Sequence, residues 1–347
     1  MYLNIFRGNV MFYPNLNHQA GVLSEIREFV EICLNHDITD ANFKYQLTEL
    51  VSAFEIFHHD GIKYDPYINA FILVADYINE HRSDLIYQDY LGQLSSKSIR
   101  KLKQIIWGQR ANILKNIRRF ENQESDNRAK FLADVRQVLV DHYAVLVIRV
   151  DLGYLKEHLS QISIREFDQH ITELRKALKD KNGYFRSLLT YGLALEHGVT
   201  RGFHAHLLLF YNGSNVQEDE KIAKRVMEKW KRITWQLGHC STSNTPEKKA
   251  EYEKKGTLGV GKILRDEHKF DQFKRPLFVA HYLVSPDKFS QKMLLTLGNS
   301  QTFSKGFYKP HNRNYDTKFK RSQMEQGVGI MTFDDIDMML YEEDEEE

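Results

Sequence analysis

Three side chains within eleven residues of the sequence could bind a metal ion. Glu196 precedes His204 and His206, and one residue separates the two histidines inside the apolar run 203–211. Alternate residues of a β-strand share a face, so the two imidazoles would point to the same side. Imidazole and carboxylate together suit a divalent transition metal that keeps open positions for a phosphate oxygen.

The surrounding residues predict a β-hairpin that brings these groups together. The apolar runs 187–196 and 203–211 are joined by a short turn that contains glycine. If paired residues have numbers that sum to 400, Glu196 lies opposite His204 at one end of a sheet. Desolvating three titratable groups there without a metal would be costly. A surface position or a satisfied core position is the alternative. Asp151, at the end of the first predicted strand, could lie near the metal, but an aspartate in that position more often caps a turn, and it is left out of the site.

Helices are predicted before this region. Apolar residues recur at three- and four-residue spacing through most of residues 21–83, and the pattern predicts further helices at 97–122 and 127–142. We place these helices in a helical N-terminal domain, residues 1–135, that would bind DNA or a partner.

The pattern changes near residue 143 and predicts an α+β fold. The order strand, helix, strand, strand, helix (βαββα) indicates a central antiparallel sheet within a domain of residues 136–325. The polar residues 238–272 are expected to form a loop or an insertion. The acidic residues 326–347 are expected to form a disordered tail.

The composition excludes several classes of protein. Hydrophobic residues make up 42% and charged residues 27% of the 347 residues, as in ordinary soluble proteins. No apolar run approaches the roughly 20 residues that span a bilayer, and the first residues lack the pattern of a secretory signal. Cys33 and Cys240 form no paired motif, which disfavours a disulfide scaffold and fits a reducing cytoplasm.

Residues from about 143 to 310 resemble the replication proteins of inovirus-type phages and prophages. This family is a branch of the HUH endonuclease superfamily, which is named for its His–hydrophobic–His motif. The His-containing strand with its upstream glutamate is the most specific element of the resemblance. The matching segments are Val147–Asp151, Tyr191–Glu196, Gly202–Phe210, His281–Lys288 and Gln301–Gly306.

The resemblance implies an HUH-type core and a rolling-circle replication initiator. Glu196, His204 and His206 would hold Mg²⁺ or Mn²⁺ at the scissile phosphate of single-stranded or hairpin origin DNA. A tyrosine would attack the phosphorus and leave a 5′-phosphotyrosine and a free 3′-OH. A host polymerase or helicase in the bacterial cytoplasm is a candidate partner. The alternatives are a catalytically inactive DNA-binding regulator on the same fold, a transposase- or relaxase-type nuclease, and a metal-dependent hydrolase unrelated to DNA.

Tyr282 is the leading candidate for the nucleophile. It lies on a predicted helix that Pro286 breaks, and Lys288 follows it by six residues. Lys288 would stabilise negative charge on the phosphate or on the tyrosinate. An ordinary buried aromatic residue is the alternative for Tyr282, and Tyr308 and Tyr315 are the other candidate nucleophiles.

A basic stripe predicts contact with phosphates. Residues 97–119 contain eight lysines and arginines and no acidic residue, although the net charge of the whole chain is only +1. The stripe could hold origin DNA, with Trp107 available for stacking. Arg201, in the hairpin turn, could also contact the DNA backbone. A solvated surface is the alternative for both. The residues of the stripe are Lys97, Arg100, Lys101, Lys103, Arg110, Lys115, Arg118 and Arg119.

Overall fold

The chain folds into helices packed around antiparallel β-structure, an α+β arrangement as predicted. The computed structural model describes residues 16, 18–59, 61–198, 200–265, 270–284, 293–298 and 300–310. The predicted acidic tail lies outside these residues. Among the helices that are described, none combines the length and the apolar character needed to cross a membrane.

Ten helices are described, and most of them precede or flank the main sheet. They are α1 (Gln19–Asn35), α2 (Asp40–Phe57), α3 (Pro66–His81), α4 (Tyr87–Gln93), α5 (Ser96–Gly108), α6 (Arg110–Asp141), α7 (Ile164–Asp180), α8 (Asp219–Ile233), α9 (Pro246–Lys254) and α10 (Phe270–Leu283).

Eight strands are described, and they form two antiparallel sheets. They are β1 (Ile62–Tyr64), β2 (Ala144–Tyr154), β3 (Leu188–Gly198), β4 (Gly202–Asn212), β5 (Gly238–Thr242), β6 (Gly261–Leu264), β7 (Leu295–Leu297) and β8 (Phe303–Lys305). The small sheet pairs β1 with β7. Five strands of the six-stranded sheet follow the order β5-β2-β4-β3-β8. The sixth strand, β6, pairs with the same edge of β2 as β5 does: β5 pairs with residues 150–154 of β2, and β6 pairs with residues 144–147.

The register of the β3–β4 hairpin confirms the predicted pairing. Glu196 lies opposite His204 and Ala194 opposite His206, and the register shifts only at the far end of β3, near Leu188. The hairpin turn enters β4 through Gly202, which has a φ of +59°. Glycine adopts this left-handed conformation without steric cost, so the turn can close with the predicted register.

The two faces of the six-stranded sheet have different coverings. We call the side with Glu196, His204 and His206 the front face and the opposite side the back face. Helices α1, α7 and α8 pack with the back face into one apolar core, and Phe167 of α7 stacks on Phe203 of β4 at 5.2 Å. The C-terminal half of α6 and α10 cover the apolar end of the front face.

The N-terminal helices contact the sheet directly. Ser24 of α1 hydrogen-bonds His197 of β3 at 3.1 Å. The side chain of Gln19 accepts a hydrogen bond from the backbone of Ile164 in α7 and donates one to the carbonyl of Phe57 in α2. The boundary predicted at residue 135 falls inside α6, and buried residues on both sides of it belong to common apolar clusters.

Two sequence-based expectations for secondary structure are wrong. Residues 238–272 were expected to be a loop, but they contain β5, α9 and β6. Exposed residues alternate with buried ones in β5 and β6, so the sequence of these edge strands is polar enough to resemble a loop. The helices predicted at 97–122 and 127–142 are instead α5 and the 32-residue α6, which meet at Gln109. Because one long side of α6 is exposed, its sequence does not show that the helix is continuous.

Gly192 allows α6 and α10 to lie close to β3, and its replacement by alanine tests this packing. A Cβ atom there would lie 2.5 Å from Phe131 and 2.7 Å from Leu283. We expect Gly192→Ala to lower the free energy of unfolding by about 1–3 kcal/mol in urea denaturation, as overpacking does. Gly92→Ala in α4 is the matched control, because nothing lies within 4 Å of its Cβ position. Equal stability of the two variants would refute this packing.

Candidate metal centre

Glu196, His204 and His206 form a compact buried cluster at one end of the front face. One ligand atom from each lies within 4.8 Å of the others. The Glu196 Oε2 atom is 3.1 Å from His206 Nε2 and 3.4 Å from His204 Nε2. All three residues are at most 6% exposed. The hairpin register therefore produces the convergence that the sequence predicts.

Both imidazoles are oriented by hydrogen bonds from their Nδ1 atoms. His204 Nδ1 donates to the carbonyl oxygen of Gly202 at 3.0 Å, and His206 Nδ1 donates to Asp151 Oδ1 at 2.5 Å. Each Nε2 atom is then left as the lone-pair atom, and both face the Glu196 carboxylate. The buried His204 Nε2 atom has no hydrogen-bond partner within the described part of the chain. Three facing lone-pair donors fit a divalent cation.

Asp151, which the sequence interpretation left out of the site as a more usual turn cap, contacts the cluster through His206. It lies within β2, one pair before the end of the β2–β4 pairing, directly opposite His206. Burial alone raises the pKa of its carboxyl. The hydrogen bond from His206 and the charges of Arg149 and Arg201 outweigh that effect and hold the pKa well below its ordinary value. A carboxylate behind a ligating histidine fixes the ring and its tautomer.

The sequence contains a pattern that could have indicated which face of the strand Asp151 occupies. Arg149 and Asp151 are the only charged residues in the apolar run 144–152, and they are two residues apart. Charged residues at that spacing share one face of a strand. The signal could identify the face but not the partner, because the pairing of β2 with β4 joins residues 55 positions apart.

Tyr282, on α10, lies beside this network. The guanidinium carbon of Arg149 is 5.4 Å from the centre of the Tyr282 ring, and Arg149 Nε is 3.4 Å from Asp151 Oδ1. A chain of contacts thus links the tyrosine to Asp151 and to His206. Tyr282 is 47% exposed, so it is not the buried aromatic that was the alternative interpretation.

The other predicted catalytic residues are Lys288, Tyr308 and Tyr315. Lys288 and Tyr315 lie outside the described residues. Tyr308 is buried at the opposite end of β2, where its hydroxyl donates to Asp141 and contacts His142. Burial and the Asp141 carboxylate raise the pKa of Tyr308, which makes it a poor nucleophile.

A buried asparagine in the stretch expected to be a loop supports β2 beside Arg149. The Asn244 side chain accepts from the Arg149 backbone N–H and donates to the Val147 carbonyl, both at 2.9 Å. It also donates to Asp219, which Lys249 neutralises. Asn244 fills the gap between β5 and β6 along β2. Nothing in the local sequence distinguishes it from the polar residues around it.

The predicted basic stripe divides into structural and exposed residues. Lys103 donates to the Ile38 carbonyl and to Asp40, and Arg110 donates to the Leu34 carbonyl, so both tie helices together. Lys101 lies over an aromatic ring, 4.6 Å from its centre. Five of the eight cations are both exposed and without such a structural role: Lys97, Arg100, Lys115, Arg118 and Arg119.

Arg201 lies close to the metal centre. It is exposed in the hairpin turn, and its charge contributes to the lowered pKa of Asp151. Among the predicted DNA-contacting cations in the described residues, it is the one whose position relates directly to the cluster. A phosphate held near the cluster would meet its positive charge.

Part of the chain matches a known protein family. Residues 109–280 match the YagK/YfjJ C-terminal domain family. The matched region begins at the junction between α5 and α6. It includes the three candidate ligands and Asp151, and it ends two residues before Tyr282. No curated protein and no solved structure matches the chain.

Removal of single side chains tests the metal centre. We expect calorimetry with Mn²⁺ to show one site in the unaltered protein and no measurable binding in His206→Ala, because two of the three donors cannot replace the third. Asp151→Ala should weaken binding about 10–100-fold, as loss of such an orienting partner does. His239→Ala is the matched control, since His239 is exposed on β5 next to Gly153. Unaltered affinity in His206→Ala would show that the cluster is not the site.

Proposed function

We propose that this protein is a metal-dependent, single-strand-specific DNA endonuclease of the HUH type that initiates rolling-circle replication. The observation that carries the proposal is the arrangement of two strand histidines and a glutamate, with their lone-pair atoms directed at one buried point. A tyrosine-bearing helix lies beside them. The resemblance of residues 143–310 to phage and prophage replication proteins selects replication among the uses of this chemistry.

Each residue of the centre has a distinct proposed role. Glu196, His204 and His206 would hold Mg²⁺ or Mn²⁺, which when bound polarises a phosphate oxygen and neutralises charge at the phosphorus. Asp151 keeps the Nδ1 proton of His206 in place, so the Nε2 lone pair stays available. Arg201 would contact the phosphate backbone at the open side of the hairpin turn.

Tyr282 supplies the nucleophile in this proposal. Its hydroxyl oxygen forms a bond to phosphorus as the bond from phosphorus to the 3′ oxygen breaks. The phenolic proton leaves to solvent, which the half-exposed position permits, and the departing 3′ oxygen gains a proton to become a free 3′-OH. The bond energy is retained in the phosphotyrosine, so the attack can be reversed to rejoin a strand.

Arg149 takes the electrostatic role that the sequence analysis gave to Lys288. Its guanidinium lies over the Tyr282 ring and is held by Asp151, so a fixed positive charge accompanies the nucleophile. A preorganised cation stabilises negative charge that develops in the transition state. It also needs no rearrangement when the reaction begins.

A covalent protein–DNA adduct tests the proposed activity. Incubation with labelled single-stranded phage-type circular DNA and Mn²⁺, followed by denaturation, should give an adduct that Tyr282→Phe and His206→Ala both abolish. Tyr143→Phe is the matched control because Tyr143 is also exposed and immediately precedes the apolar end of β2. An adduct that persists in Tyr282→Phe would move the nucleophile to another tyrosine. Intact DNA binding without any adduct would favour a catalytically inactive regulator.

Arg149→Ala separates charge stabilisation from metal binding. We expect the rate of adduct formation to fall about 10²–10³-fold, the usual cost of losing a preorganised transition-state contact. The affinity for Mn²⁺ should fall less than it does in Asp151→Ala, because Arg149 contacts no ligand directly. Arg149→Lys should restore part of the rate, since it returns the charge without the planar group. An unchanged rate in Arg149→Ala would exclude the role.

A further inference from the structure

A polar groove of ≈ 550 Å³ lies between α6 and residues 293–298 and 300–303. One wall is the exposed side of the first half of α6. The other wall contains β7 and the residues that lead into β8, and residues around β1 and the start of α3 close one end. Nothing in the chemistry proposed above uses this groove.

The groove leads to the metal centre. The Thr302 carbonyl accepts a hydrogen bond of 2.7 Å from Leu195, the residue before Glu196. Because the segments are antiparallel, Gln301 lies at the level of Glu196. On the other wall, Asn127 adjoins Arg128, which donates to His281 beside Tyr282. Both walls therefore end next to groups of the proposed active site.

Amides are the most numerous polar side chains of the lining. Among the described residues, the amide groups of Gln123, Asn127 and Gln301 make no hydrogen bond. The charged residues of the lining are two cations and two acids, so the groove itself has no net attraction for phosphate. These are Lys63, Arg119, Asp65 and Glu124.

A basic ridge borders this neutral groove. Lys115, Arg118 and Arg119 are exposed on the adjoining side of α6, and Arg119 lines the groove as well. A nucleic acid strand has the same division, with neutral bases on one side and anionic phosphates on the other. Asparagine and glutamine pair with base edges through their combined donor and acceptor, and unstacked bases offer those edges freely.

We propose that this groove binds unstacked bases of the single-stranded DNA beside the cleavage position and selects their sequence. The phosphates of the same segment lie along the basic ridge. The inference rests on the proposed function for the identity of its ligand. It adds the site at which the DNA sequence is recognised, which is separate from the site at which DNA is cleaved.

Binding without cleavage tests the groove. Fluorescence anisotropy would be measured in EDTA with labelled dA, dC and dT oligonucleotides of about 12 nucleotides, a length that single-strand sites cover. We expect the unaltered protein to prefer one base by about fivefold or more, the usual discrimination of a bidentate amide contact. The double variant Asn127→Ala/Gln301→Ala should bind all three within about twofold of one another.

The control and the possible outcomes separate the two proposals. Gln88→Ala/Gln104→Ala removes two exposed amides from α4 and α5 and should keep the base preference. A preference that survives Asn127→Ala/Gln301→Ala, or no preference in the unaltered protein, would overturn the groove proposal even if the protein forms the covalent adduct. A groove-dependent preference in a protein that never forms the adduct would refute the endonuclease and leave the groove as a recognition site.

Discussion

Removing three polar side chains from water at one corner of the sheet is the constraint on which the structure depends. Glu196, His204 and His206 are almost fully buried, and such groups are costly to bury unless a partner neutralises them. Each Nδ1 atom donates a hydrogen bond, which satisfies one nitrogen of each imidazole. The other nitrogen, Nε2, is thereby directed at the Glu196 carboxylate. The hairpin register and Asp151 both serve this alignment, which a divalent cation would complete.

The coverings of the sheet concentrate chemistry at that corner. On the back face, α1, α7 and α8 form a continuous apolar core, and on the front face α6 and α10 cover the end away from the Glu196–His204–His206 cluster. Beyond their contact over Gly192 the front face carries the charged and polar groups of the cluster. The same two helices then place Arg128 and Tyr282 at the border of the cluster, so packing and chemistry share one set of elements.

The sequence was sufficient where short-range periodicity decides the structure. The hairpin and its pairing follow from alternation and from a turn, and both are confirmed. The contacts of Asp151 and Asn244 were not predicted, because they depend on strands that meet only in the folded chain. Lys103 shows the same limit, since no local pattern reveals that its ammonium group binds a carbonyl 65 residues away. Edge strands β5 and β6 were hidden by their exposed polar residues.

The start of the family match has a consequence for how such a protein can be assembled by recombination. Residue 109 lies at the break between α5 and α6, a natural crossover point for exchanging the preceding segment. The back face beyond that point is nevertheless covered in part by α1, through contacts such as Ser24 with His197. An exchanged segment must therefore bring its own apolar helix to that face. Only leading sequences that can cover the back face in this way can be joined to the region that begins at residue 109.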